Sequence, residues 1–199
     1  SHCVMVPTPA MVDYCDAMGI KNIKIWSRGV DTDLFKPDPK FAKSKSIIRA
    51  VYVGRVSAEK NLIEYLEITS PNIVKYVIGD GPQLEEYKAR YTDAIFLGRK
   101  THEEIAKLLQ TFDVFAWPSM TDTFGLVVLE AMACGLPVAA LDNEVNRYII
   151  EDGKSGILAD SYHFKEAIVK ASKLNDYDAV ARAKHFSWEA ATNQFVDNL

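Results

Sequence analysis

Apolar residues in this chain gather into short blocks, separated by polar stretches of a dozen residues or more. Near-continuous apolar runs occupy residues 47–53, 73–78, 94–97, 112–117 and 136–141. Their length and their Val, Ile, Phe and Ala content are the profile of strands buried on both faces. The segments between them carry helix signals. Residues 55–61 lead into a helix ending near residue 68, and Pro82 stands at the first helical position of a segment running to residue 91. Thr101 and Glu104 form a capping box. Residues 125–134 form a helix stopped by Gly135 in the left-handed position, with Pro137 just beyond. Strand and helix alternate throughout, which predicts an α/β fold: a doubly wound, mainly parallel sheet that takes ligand at the carboxyl ends of its strands.

The two ends read less regularly. Residues 3–6 form a short strand, followed by Pro7-Thr8-Pro9, an amphipathic stretch to Met18 with Gly19 as its stop, and another strand at 23–26. Residues 35–46 are charged and contain proline, a plausible boundary. Beyond residue 141 come a turn at 153–156, a strand at 157–158 and surface helices at 162–174 and 178–184. A last helix is capped by Ser187, with Trp188, Ala191, Phe195 and Leu199 at helical spacing.

Composition narrows the function classes. The 199 residues allow one domain with a fragment of another, and 48% hydrophobic content is ample for a core. No run approaches the roughly 20 apolar residues of a membrane span. A net charge of −4 argues against a nucleic-acid surface. Cys3, Cys15 and Cys134 show no pairing pattern and suggest a reducing compartment. The chain opens at Ser1 with no signal-peptide pattern, so we expect a piece of a longer protein. The histidines are scattered, none at metal-ligand spacing, and no Ser or Cys sits in a nucleophile-and-base pattern.

The candidate chemistry centres on residues 117–141, W-P-S-M-T-D-T-F-G-L-V-V-L-E-A-M-A-C-G-L-P-V-A-A-L. Between Phe124 and Leu141 the only charged side chain is Glu130. An ionised carboxylate on an apolar helix is costly unless something bonds it. Its partner is either a structural Arg or Lys or a ligand, and the helix start beside it is a ready anion site. Arg55 and Lys60, in G-R-x-x-x-x-K after the second-domain strand, are either solvated loop charges or a diphosphate clamp. Gly79-Asp80-Gly81-Pro82 is by itself a weak dinucleotide signal, lacking a third glycine. Asp31-Thr32-Asp33 is either a metal-binding D-x-D or a pair of turn formers.

The stretch P-S-M-T-D-T-F-G-L-V-V-L-E-A-M-A-C-G-L-P-V, with an acid and a Glu in register at Asp122 and Glu130, resembles the donor-site signature of retaining glycosyltransferases of the GT-B fold, family 4. The T-D-T-F-G form is similar to lipid-glycosylating members such as sulfolipid synthases. The resemblance implies transfer of a hexose from a UDP- or GDP-sugar to an acceptor hydroxyl, the donor being substrate, with no metal or other cofactor. Arg55 and Lys60 would then hold the diphosphate, Asp122 the sugar and Glu130 the ribose. Gly54, Gly79 and Gly81 would let the backbone approach the nucleotide, Arg99 and Lys100 would flank the base, and the helix start at Thr123, Phe124, Gly125 and Leu126 would face the phosphates.

Two departures from the family pattern stand out. Asp122 replaces the usual Glu and could equally cap the following helix, and D-N-E-V-N-R at 142–147 replaces a glycine- and proline-rich turn. The resemblance further implies that residues 1–30 are the tail of an acceptor lobe and 31–46 a linker. Residues 47–185 would be the donor domain, and 186–199 a helix crossing back toward the other lobe. The expected partners are the donor, an acceptor lipid or glycan and that lobe, with no nucleic acid. The expected location is cytoplasmic, with membrane contact only through the absent lobe. Alone, the chain is expected to be inactive and prone to self-association. A nucleotide-sugar 2-epimerase of the same fold and a non-enzymatic nucleotide-binding module are the alternatives.

Overall fold

The computed structural model describes residues 3–38 and 46–199. Six strands form one sheet: β3 (Ile48–Val53), β4 (Ile73–Ile78), β5 (Ala94–Gly98), β6 (Val114–Trp117), β7 (Val138–Leu141) and β8 (Gly156–Ala159). All five pairings are parallel, in the order β5-β4-β3-β6-β7-β8. Every residue of β6 and β7 is buried, as a two-sided sheet requires of its central strands.

The connections between the parallel strands carry the helices. Those between β3, β4 and β5 are α2 (Ile63–Leu66) and α3 (Leu84–Arg90), while α4 (His102–Leu109), α5 (Leu126–Ala133) and α6 (Glu144–Ile149) follow β5, β6 and β7. After β8 come α7 (Phe164–Ala171) and α8 (Asp176–Lys184), with α7 packed on β6, β7 and β8 and α8 on α5.

The second, smaller sheet pairs β1 (Val4–Val6) with β2 (Ile23–Ile25) in parallel, and α1 (Pro9–Ala17) connects them. The last helix, α9 (Trp188–Asp197), lies against this segment. The Trp26 indole donates to the Ala191 carbonyl at 3.1 Å, and the Ser27 amide donates to Gln194 Oε1 at 2.7 Å. Asn198 Nδ2 reaches the Ile25 carbonyl at 2.7 Å, and the Trp26 and Phe195 rings lie 4.9 Å apart. Of the apolar stripe expected on α9, Ala191 is buried and Phe195 partly so, while Trp188 and Leu199 remain exposed.

Local signals explain several boundaries. Thr101 and Glu104 bond reciprocally as a capping box, and Ser187 caps α9 through the Ala190 amide. At the end of α5 the Gly135 amide donates to the Met132 carbonyl at 2.9 Å and Leu136 donates to Ala131 at 3.0 Å. Gly135 has φ +84°, so this is a Schellman stop. Leu136 is occupied in it, and β7 therefore begins at Val138.

Three expectations need correction. The helix expected after the loop at 55–61 and ending near residue 68 is only the four-residue α2, and the loop before it holds a 3-10 turn, Ala58–Lys60. Asn61 separates them in the left-handed conformation, φ +52°, which asparagine tolerates better than most residues. Pro82 does not start α3, because Gln83 is its N-cap and spends its amide on the Val56 carbonyl. The helix expected at 162–174 is a 3-10 turn, Ser161–His163, followed by α7. Of the charged boundary at 35–46, residues 39–45 lie outside the described residues.

The loops after β3 and β4 lie so close that only glycine fits between them. A Cβ on Gly79, at φ +142°, would stand 1.8 Å from the Gly54 carbonyl oxygen, and one on Gly81 would stand 2.2 Å from that of Val56. The backbone is threaded through this contact: the Gly54 amide donates to Ile78, and the Val56 amide donates to Asp80. Gly79→Ala must therefore separate the two loops and should destabilise the chain by about 3 kcal/mol or more. A melting curve within a degree or two of the parent would contradict this packing.

Candidate active site

The strand order reverses between β3 and β6, and the loops leaving their carboxyl ends diverge around a crevice. The β3 loop carries Gly54, Arg55 and Lys60; the β6 loop carries Ser119 and Asp122 and runs into α5. Lys60 Nζ meets Asp122 Oδ1 at 2.6 Å and lies 5.7 Å from the centre of the Trp117 ring. The other Asp122 oxygen accepts the Ser119 hydroxyl. Thr121 Oγ1 donates to the Glu59 carbonyl at 3.0 Å, a second tie between the loops. Asp122 therefore does not cap α5: the N-cap is Gly125, at φ +81°, and no side chain closes that helix end.

Arg55 is positioned by its backbone more than by its side chain. The Tyr52 hydroxyl, buried beneath the loop, donates to the Arg55 carbonyl at 2.8 Å. The Tyr52 ring stacks on Trp117 at 5.6 Å, and burial raises its pKa. The guanidinium is 66% exposed and meets Glu59 only at 3.9 Å.

Arg55 lines a cavity of about 260 Å³ with Gly54, Gly79, Asp80, Arg99 and Lys100. An adjoining depression of about 600 Å³ is bounded by residues 99–105. The structure thus gathers Gly54, Arg55, Gly79, Arg99 and Lys100 around one space and pairs Lys60 with Asp122 elsewhere in the crevice. Gly81 is taken up by the loop-to-loop contact. Phe124 is buried edge-on against Phe186, 5.9 Å between centroids, while Thr123 and Leu126 are exposed.

Glu130 sits on α5 among buried neighbours and is itself only partly accessible. Among the described residues no hydrogen bond or ion pair reaches its carboxylate, so none of them is the structural Arg or Lys partner considered from sequence. Burial raises its pKa, opposed only by the charge of His102 at the start of α4. His102 bounds the larger depression, and the α5 end touches α4 where the Cys134 thiol approaches the Ala106 carbonyl at 3.8 Å.

Sequence reasoning missed Ser119 and Tyr52. Ser119, a polar residue in the loop between β6 and α5, is buried; its position directly after the strand-ending Pro118 was the available signal. Asp31, by contrast, behaves as a turn former: its Oδ1 accepts the Asp33 and Leu34 amides, both at 3.0 Å. The 142–147 segment places Asn143 as the cap of α6 and Asp142 in a two-pronged pair with Arg147, which holds the Asp142 carboxyl below its ordinary pKa.

Residues 34–185 match the family model described as glycosyl transferases group 1. Sulfoquinovosyl transferase SQD2 of Arabidopsis thaliana is 31% identical over 204 residues, 89% of this chain and 40% of the relative. A GDP-mannose-dependent alpha-mannosyltransferase of Corynebacterium glutamicum is 29% identical over 215 residues, 98% and 51% of the respective chains. The chain thus spans about half the length of the curated relatives it matches. The structure of Anabaena HepE in complex with UDP and glucose superimposes with a TM-score of 0.81 at 22% identity, over 99% of this chain and 62% of that one.

The Glu130 environment predicts a pH signature. A carboxyl whose folded pKa is raised binds its proton more tightly when folded, so its contribution to stability falls as pH rises from the ordinary glutamate value of about 4.3 through the raised one. Glu130→Gln, which replaces a charge by a neutral amide, should melt higher than the parent at pH 8, and the gap should close toward pH 4. A variant that melts lower than the parent at pH 8 would mean that Glu130 has a stabilising partner.

Proposed function

The chain belongs to the group 1 glycosyl transferases, and on that premise we propose that it holds the nucleoside-diphosphate sugar from which a hexose is transferred to an acceptor hydroxyl. The observation that carries this reading is the Glu130 carboxylate on an apolar helix, which no hydrogen bond or ion pair reaches among the described residues, in a fold whose β3, β4 and β5 loops bring Arg55, Arg99 and Lys100 around one cavity. A half-buried acid with no protein partner among the described residues is accounted for when a ligand diol donates to it, and a ribose supplies one. HepE, whose structure contains UDP and glucose, shares the fold.

In this reading Arg55, Lys60 and the uncapped start of α5 oppose the charge that grows on the departing diphosphate. Arg99 and Lys100 lie beside the base, and Asp122 orients the sugar. The leaving phosphate accepts the acceptor's proton, the anomeric configuration is retained, and neither metal nor cofactor is required. The acceptor, a lipid or glycan, is held by a second lobe of which residues 1–30 are the tail, so residues 1–199 alone bind donor without transferring it. Among the described residues no helix is long and apolar enough to cross a membrane, and any membrane contact in the cytoplasm runs through that other lobe.

Calorimetry tests the assignment. UDP or GDP should bind the chain, and Lys60→Ala should weaken binding by about 2 kcal/mol, roughly 30-fold. Glu130→Gln should weaken the nucleotide while leaving inorganic pyrophosphate unaffected. Equal losses for nucleotide and pyrophosphate in Glu130→Gln would remove the ribose from its account.

A further inference from the structure

The two cations of the β3 loop are in different states. Arg55 is open to solvent, whereas Lys60 is already engaged: its ammonium and the Asp122 carboxylate are 2.6 Å apart, with side chains only 19% and 18% exposed. The pair joins two loops that leave the sheet on either side of the strand-order reversal, and the Thr121–Glu59 contact closes the same gap. A diphosphate arriving at the β3 loop therefore meets Arg55, exposed and held only by a 3.9 Å pair with Glu59, and Lys60, whose charge a carboxylate has cancelled. Asp122 stands to Lys60 as an anionic ligand would, at a normal charge-assisted hydrogen-bond distance.

We propose that Asp122 is a latch: without donor it occupies Lys60 and ties the loops together, and the diphosphate displaces it. The multiply charged diphosphate outcompetes a single carboxylate for the ammonium. Once displaced, Asp122 remains held through its second oxygen by the buried Ser119 hydroxyl and is free to accept a hydroxyl of the sugar behind the diphosphate. The carboxylate that orients the sugar thus becomes available only after the nucleotide is seated, which orders binding from diphosphate to hexose. The latch rests on the donor-site reading above, and its test separates the two.

Titrate residues 1–199 with inorganic pyrophosphate, UDP and GDP, comparing the parent with Asp122→Asn and Glu59→Gln. Asparagine keeps the shape and can still accept from Ser119, and a melting curve reports whether the fold is kept; if it is not, Asp122→Ala takes its place. Removing the competitor should tighten pyrophosphate and UDP about three- to tenfold. Glu59→Gln removes an equal charge from the facing β3 loop, keeps an oxygen to accept the Ser57 hydroxyl and gives up only the 3.9 Å pair with Arg55, and should change affinity less than about twofold. Unchanged or weaker binding in Asp122→Asn, with the parent binding UDP or GDP, overturns the latch and leaves the donor site standing. Equal tightening in both variants assigns the effect to bulk charge and also overturns it. A parent that binds none of the three ligands overturns the donor-site reading and the latch together.

Discussion

The parallel pairing of β3 with β6 is the constraint on which the site depends. From β3 the chain turns one way along the sheet, through β4 to β5, and from β6 it turns the other way, through β7 to β8. No crossover lies between the two loops at the carboxyl ends of this pair, so the sheet opens there into a crevice lined by backbone and polar side chains. Tyr52 on β3 stacks on Trp117 of β6 beneath the opening, and the Tyr52 hydroxyl supports the Arg55 carbonyl above it. The floor is aromatic and rigid; the groups that meet a ligand stand on its two rims.

What fills the crevice follows from electrostatics. The β3 rim carries Arg55 and Lys60, the neighbouring β5 loop carries Arg99 and Lys100, and the opposite rim carries Asp122 on the approach to the uncapped end of α5. Glu130 lies on α5 with a raised pKa and no protein partner among the described residues. A ligand that satisfies all of these has negative charge for the cations and the helix end, and hydroxyl donors for the two acids. A nucleoside-diphosphate sugar has both.

Much of this was legible because it rests on local chemistry. The run at 73–78 became β4 at those residues, the Thr101/Glu104 box and the Ser187 cap formed as written, and Gly135 closed α5. What was not legible depends on contacts between segments far apart in sequence. Gly79 and Gly81 read as residues that make room for a nucleotide, yet their tightest neighbours are the Gly54 and Val56 carbonyls of another loop. Nothing near Asp122 announces that Lys60, 62 residues away, will hold it. Asn61 looks like any polar residue until its left-handed conformation separates the 3-10 turn in the loop from α2. The Glu130 question had two answers in sequence, and only the packed structure shows that no described Arg or Lys reaches it.

The central claim is that a nucleotide, rather than any side chain, satisfies Glu130. Proton exchange on binding tests it most directly. Hydroxyls donating to the ionised carboxylate lower its raised pKa, so between the ordinary glutamate value and the raised one nucleotide binding should expel a proton from this group. Calorimetry of UDP binding in buffers of different ionisation enthalpy, run in parallel on the parent and Glu130→Gln, isolates that proton from those of the ligand's own phosphates. The account predicts greater proton release by the parent than by the variant; identical proton exchange in the two would contradict it.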